Sequence, residues 1–240
     1  MKNAHTDGQI TLHNTDAESF LATVPPGTAD LVLTDPPYVI SKDSSFAKGG
    51  DSKFHSFQTD FGEWDHAAGF SMETLDACVQ GMSRALRPGG TAVVFFDLWK
   101  VSTLMEMMER AGFEQLRTVE WEKTNPVPVN ARASYLTNAR EFAVYGVKPG
   151  AAPTLNDPPA HGKFSYPIEK AKGRFHPTQK SVPLFEHMLR VFSNRSDLVL
   201  DPFSGSGTTA LVCKSQGRRF DGCELSPEYF EKSWARITGS

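Results

Sequence analysis

"DLVLDPFSGSGTTALVCKSQGRRFDGCEL", residues 197 to 225, carries a whole folding unit in one stretch. The apolar run 198–200 reads as a buried strand, and the Pro-Phe-Ser-Gly-Ser-Gly stretch after it as a turn. "GTTALVCKSQG" reads as a helix stopped by Gly217, and "RRFDGCEL" as a second strand. Strand, helix and strand in that order predict parallel pairing with the helix packed on one face of the sheet. A ligand in such a fold lies at the carboxyl ends of the strands.

The same alternation runs upstream. "QITLHN" (9–14) and "ADLVLTD" (29–35) read as strands, with a helix at 16–24 capped by Asp16 between them. "SMETLDACVQGMSRAL" shows helical spacing and ends at "RPGG", after which "TAVVFFD" reads as a buried strand. A helix at "STLMEMMERAG", strands at Phe113 to Trp121 and "REFAVYGVK", and helices at "VPLFEHMLRVFS" and "SPEYFEKSWARI" complete the series. The expected fold class is therefore α/β, Rossmann-like, a mostly parallel sheet with helices on both faces. Two stretches lack periodicity. Residues 41–69 read as a mobile loop, and the Pro- and Gly-rich residues 149–175 as a small insertion outside the core.

With 240 residues, 39% hydrophobic and 22% charged, the chain suits one domain spanning 1–240. No apolar run approaches a membrane span and the N-terminus has no signal-peptide core, so no membrane partner and a cytoplasmic location are expected. Three widely spaced cysteines in apolar surroundings fit reduced core thiols, and no metal is expected. The net charge of −3 hides an asymmetry. Residues 121–195 hold eleven Lys and Arg against five acids, +6, which leaves −9 elsewhere. That balance suits one polyanion-facing side on an acidic body, although a solvated face would read the same.

In the glycine turn, Gly205 and Gly207 let backbone approach a ligand, and the helix start offers free N–H groups to an anion. No P-loop lysine follows, since Thr208 comes after Gly207. Glu224 closes the next strand, where an acid in such folds binds a ribose diol. A nucleoside with an anionic tail and no diphosphate fits both features, and S-adenosyl-L-methionine answers that description.

The second informative stretch is "LVLTDPPYVI" (31–40). Pro36 and Pro37 cannot donate ladder hydrogen bonds, so the strand stops near Asp35 and leaves a carboxylate, a rigid carbonyl and the ring of Tyr38 at its end. Alone, this could be a turn cap and a surface ring. Together with the glycine turn it reads as a site.

With these two motifs the chain resembles the permuted, beta-class amino-methyltransferases of DNA, in which the Asp-Pro-Pro-Tyr motif precedes the glycine motif. The likeness takes in "ITLHNTDAESFLATVPPGTADLVLTDPPY", "FGEWD", "WEKTNPVP", "NAREFAVYGVK", "HPTQKSVPLFEHML" and "DPFSGSGTT"; Ser181 departs from a proline common after the lysine. The resemblance implies methyl transfer to adenine N6 of a base flipped out of double-stranded DNA. Asp35 and the carbonyl of Pro36, held by Pro37, would accept the amine's N–H groups and free its lone pair to attack the sulfonium methyl. Tyr38 would stack on the base, for which the ring alone suffices. Asp201, Pro202, Phe203, Ser204, Gly205, Ser206, Gly207, Thr208, Thr209, Glu224 and Leu225 would form the cofactor pocket, with Asp35, Thr178 and Lys180 of the "HPTQK" segment beside it. Phosphate contacts are expected from Lys42, Lys48, Lys53, Lys123, Arg132, Arg140, Lys170, Lys172 and Arg174.

Transfer to cytosine N4 needs the same geometry, but in the family it more often goes with Ser at the position of Asp35. Methylation of RNA or a protein amide fits the motif order and the basic middle less well. A silent DNA-binding module would not need intact Asp35, Tyr38, Gly205, Gly207 and Glu224. Family members work with or without a cognate restriction endonuclease, and a compact chain could enlarge its DNA surface as a homodimer.

Overall fold

The computed structural model describes residues 3–38, 70–126, 137–156, 161–169 and 179–239. Strands β1 (Asn3–Asp7) and β2 (Ile10–Asn14) form an antiparallel hairpin. Its turn includes Gly8, whose φ of +59° suits a residue without a side chain. Helix α1 (Ala17–Thr23) starts where Asp16 accepts the Ser19 N–H at 2.8 Å, and leads to β3 (Ala29–Thr34). Helix α2 (Met72–Ala85) is capped by Ser71 and followed by β4 (Leu86–Phe96), a short 3-10 turn (Leu98–Lys100) and α3 (Val101–Arg110). Then come β5 (Glu114–Lys123), β6 (Arg140–Val147), β7 (Lys163–Tyr166), α4 (Val182–Phe192) and β8 (Leu198–Asp201). Helix α5 (Thr208–Gln216), β9 (Arg219–Glu224) and α6 (Pro227–Thr238) complete the described chain.

The nine strands form one sheet in the order β1-β2-β9-β8-β3-β4-β6-β5-β7. The pairs β2–β9, β9–β8, β8–β3, β3–β4 and β5–β7 are parallel, and β1–β2, β4–β6 and β6–β5 antiparallel. Strands covered on both faces read as unbroken apolar runs, which is why β3, β4 and β8 were plain in the sequence. Leu31, Leu33, Val93, Phe95 and Val199 face a core shared with α4, α5 and α6. Their neighbours Val32, Val94, Phe96 and Leu200 face the opposite core, shared with α1, α2 and α3. The expected layering, helices on both faces of a mostly parallel sheet, is present.

Two expectations change. Residues 149–175 are not wholly outside the core: β7 lies within them, pairs with β5, and buries Phe164 to 4% exposure. Residues before it lie against β4 but stay at the surface: a Cβ on Gly89 would lie 2.5 Å from the Ala152 carbonyl oxygen, while Ala151 and Ala152 are exposed. Strand β1 was absent from the sequence reading, because Asn-Ala-His-Thr-Asp carries no apolar alternation and owes its strand state to the hairpin. Cys78, Cys213 and Cys223 are free and buried, as expected. The loop 41–69 lies outside the described residues. Among the described residues, no helix is long and apolar enough to cross a membrane.

Candidate functional site

Strands β3 and β8 pair directly, so the segments leaving their carboxyl ends, Asp35–Tyr38 and Pro202–Gly207, emerge side by side. Asp201 ties them together. It is 3% exposed and accepts the hydroxyls of Thr34 at 2.7 Å and Thr209 at 2.6 Å and the Phe203 N–H at 3.1 Å. Asp201, which sequence reading placed in the cofactor pocket, braces β3, the glycine turn and α5. Burial raises its pKa to about 6, against the three donors.

The turn itself requires glycine at two points. Gly205 has φ +51° and Gly207 +71°, and a Cβ on Gly207 would press on Ile237 at 3.0 Å and Ser233 at 3.1 Å of α6. The Gly205 N–H donates to Glu224 Oε2 at 2.9 Å and the Ser226 N–H to Oε1 at 2.8 Å, so the strand-end acid fixes the turn as well as facing it. Burial lifts the Glu224 carboxyl to about 7. Leu225 beside it is 61% exposed. Arg236 of α6, which sequence reading missed, donates to the Ser206 carbonyl at 2.9 Å and the Thr208 hydroxyl at 3.0 Å. Pro202 accepts the Cys223 thiol, and Phe203 stands edge-on to Phe70.

On the other side of Asp35 lies a chain of buried charges. Tyr38 donates its hydroxyl to Asp35 Oδ1 at 3.0 Å, and the Lys180 ammonium sits 2.9 Å from Oδ2. The same ammonium donates to Glu141 Oε2 at 2.5 Å, and Lys123 lies 2.8 Å from Glu141 Oε1. Signs alternate along Asp35, Lys180, Glu141 and Lys123, which lets four charges remain inside the protein. Burial raises the Asp35 pKa, partly offset by Lys180, and raises Tyr38 well above its usual value. Burial would raise Glu141 too, but Lys180 and Lys123 outweigh it and hold it at about 2. For Lys180, Asp35 and Glu141 together overcome the burial that would lower its pKa. The ammonium also lies 5.1 Å from the Phe95 ring centre and 5.9 Å from that of Tyr38.

Several sequence expectations change here. Lys123, expected on DNA phosphates, has a side chain only 15% exposed and belongs to this interior chain. The Tyr38 hydroxyl, to which sequence reading gave no part, donates to Asp35. Glu141 escaped notice although it is an acid opening an apolar strand, because its partners arrive from distant segments. Arg140 does stay outside, 65% exposed and 3.6 Å from Glu120. Pro36 is buried and Pro37 half-buried. Thr178, Lys42, Lys48, Lys53, Arg132, Lys170, Lys172 and Arg174 lie outside the described residues.

The hydroxyl of Ser204 in the glycine turn, the hydroxyl of Ser181 and the amide oxygen of Gln179 are buried without a hydrogen-bond partner among the described residues. Thr91 and Gln216 also hold such an atom, but Ser204 lies in the glycine turn itself. With the strand-end carboxylate of Glu224 and the helix N-terminus, its hydroxyl suits a polar ligand such as a nucleoside bearing a charged tail.

Residues 29–235 match the family described as DNA methylase, N6_N4_Mtase. The type II methyltransferase M2.DpnII of Streptococcus pneumoniae is 29% identical over 97% of this chain and 91% of its own length. M2.LlaDCHI of Lactococcus lactis subsp. cremoris is also 29% identical, over 94% and 88%. The crystal structure of the M1.HpyAVI–SAM complex superposes with a TM-score of 0.73 at 26% identity, covering 95% of this chain and 98% of that one. The cytosine-N4-specific PvuII DNA methyltransferase, 19% identical with a TM-score of 0.72 over 98% and 92%, shares the fold.

Proposed function

Since the chain belongs to the N6/N4 family of DNA methylases, we propose that it moves the methyl group of S-adenosyl-L-methionine to N6 of adenine in double-stranded DNA. The observation that carries this reading is the pairing of β3 with β8. It sets a carboxylate and a proline carbonyl beside a glycine turn suited to the cofactor, with the catalytic segment first in the chain, as in the beta class. S-Adenosyl-L-methionine, when bound, supplies a methyl group on a positively charged sulfur. Gly205, Gly207, Ser204 and the start of α5 would hold its amino-acid tail, and Glu224 and Leu225 its nucleoside end. A flipped base would stack on Tyr38 while Asp35 and the Pro36 carbonyl accept its amine hydrogens and localise the nitrogen lone pair. After transfer the nitrogen is strongly acidic, and Asp35 or solvent takes the proton.

Incubating the protein with labelled cofactor and DNA, followed by hydrolysis to nucleosides, tests the reading. N6-methyladenine is expected. N4-methylcytosine as the only product would move the target to cytosine, and no labelled nucleoside from any DNA would remove the reading. A second copy of the chain as part of the DNA surface belongs to the same proposal; a light-scattering mass near 26.4 kDa at working concentration would reject that dimer.

Glu224 gives a pH test of the cofactor assignment. Its pKa is raised to about 7, and a ribose diol donates only to the ionised carboxylate in full strength. Cofactor affinity should therefore rise with pH through 7, with a limiting slope of about tenfold per unit below it. In the free chain the sign is opposite: a raised folded pKa means stability present at low pH and lost as pH rises through 7. Glu224→Gln should weaken cofactor binding and flatten its pH dependence in calorimetry. An unchanged dissociation constant would remove Glu224 from the cofactor site.

A further inference from the structure

In the ligand-free chain both oxygens of Asp35 are already taken, Oδ1 by the Tyr38 hydroxyl and Oδ2 by the Lys180 ammonium. An incoming amine needs one of them. Lys180 is 8% exposed, so if it simply let go of Asp35 it would become a buried ammonium short of an acceptor. Glu141 removes that obstacle. It stands at the start of β6, an antiparallel strand whose beginning lies at the carboxyl ends of β3 and β4, and it already holds Lys180 at 2.5 Å. Its second oxygen is neutralised by Lys123 at the end of β5.

We propose that Glu141 is a positioning residue for methyl transfer, the acceptor that retains Lys180 when the Asp35 carboxylate turns from the ammonium to the substrate amine. This rests on the DNA amino-methyltransferase reading above. Lys180 stays protonated throughout and never serves as a base; it is handed from two carboxylates to one, and Asp35 keeps its negative charge for the amine. Among the described residues, the groups facing Asp35 are Lys180 before α4, Glu141 on β6 and Tyr38 on its own segment. Asp35 repels Asp201 on β8, and Asp97 beyond β4 acts on Tyr38. Among the groups acting on Asp35, Glu141 raises its pKa and Lys180 lowers it.

Glu141→Gln keeps the shape and removes the charge. Lys180 then keeps only a neutral amide oxygen there, with Asp35 as its one carboxylate partner among the described residues, and kcat at saturating cofactor should fall roughly 10- to 100-fold, the scale of a charged hydrogen bond. Cofactor affinity should change far less than kcat, since Glu141 reaches the cofactor side only through Lys180 and touches none of the glycine turn. The distinguishing readout is the acid limb of the kcat–pH profile. Without the Glu141 charge the Asp35 carboxyl ionises more readily, so the limb should move to lower pH even as the plateau drops; loss of folding alone would narrow the profile instead. A 13C titration of the Asp35 carboxyl in the cofactor-free chain should show the same downward shift and needs no turnover. It therefore separates this inference from the functional reading, which fails only if the wild type methylates no DNA. Should the single variant fold poorly, Lys123→Met with Glu141→Gln restores charge balance while still lacking the anionic acceptor, and the same loss of kcat is expected. Wild-type kcat with an unmoved acid limb, in either variant, would overturn the proposal.

Discussion

Asp35→Ala is expected to cut methyl transfer by roughly 10²- to 10³-fold or more, the scale at which removal of one preorganised electrostatic partner acts. The effect should fall on chemistry and leave the fold standing. Asp35 is half-buried at the end of β3, and its removal leaves Lys180 still held by Glu141, so no buried ammonium loses its last acceptor. The Tyr38 hydroxyl loses its acceptor, a smaller penalty for a neutral group on a half-exposed ring. Single-turnover assays with labelled cofactor, together with calorimetry to confirm cofactor binding, make the measurement. Near wild-type turnover in a variant that binds cofactor would remove Asp35 from the chemistry.

Asp201→Ala should have the largest effect on stability. Truncation leaves the Thr34 and Thr209 hydroxyls and the Phe203 N–H inside the protein without their acceptor, and each buried donor so stranded costs about 1–3 kcal/mol. Allowing Thr209 to turn back to a helix carbonyl, a loss of about 3–5 kcal/mol is expected in urea denaturation. Because the folded pKa of Asp201 is raised to about 6, its protonation favours the folded chain at low pH and that contribution disappears as pH rises through 6. The gap between wild type and variant should thus be widest below pH 4 and narrower at pH 8. A variant within 1 kcal/mol of wild type, about the value of a single ordinary hydrogen bond, would show that the brace carries little.

The contrast between these two acids shows what a sequence can and cannot display. "LVLTDPPY" and "LVLDPFSGSG" announce strand ends because both strands are buried on two faces, and prolines or glycines stop them abruptly. That was enough to place both halves of the site at one end of one sheet. Which way each carboxylate points was not legible. Asp201 looks inward to Thr34 and Thr209, and Asp35 faces the Lys180 ammonium, although both follow an apolar run and precede a proline. Glu141 was invisible for a related reason. Lys123 and Lys180 reach it only because β5 and β6 are neighbours and because the chain before α4 returns across their ends. Local pattern likewise missed β7, whose four residues become a strand by completing β5 and seating Phe164.

The order of strands in space differs from their order along the chain, and this bears on how the protein is made. β2 meets the sheet through β9, and β8 and β9 stand between it and β3. On a ribosome adding about 5–20 residues per second, the first hairpin and the central strand are out for roughly ten seconds or more before residues 198–224 arrive to join them. Through that interval the flank of β3 that β8 will occupy is an open apolar edge, the kind that pairs with whatever strand it meets. The nascent chain should therefore lean on chaperones, and slowing translation over residues 150–190 should lower soluble yield more than slowing it after residue 225.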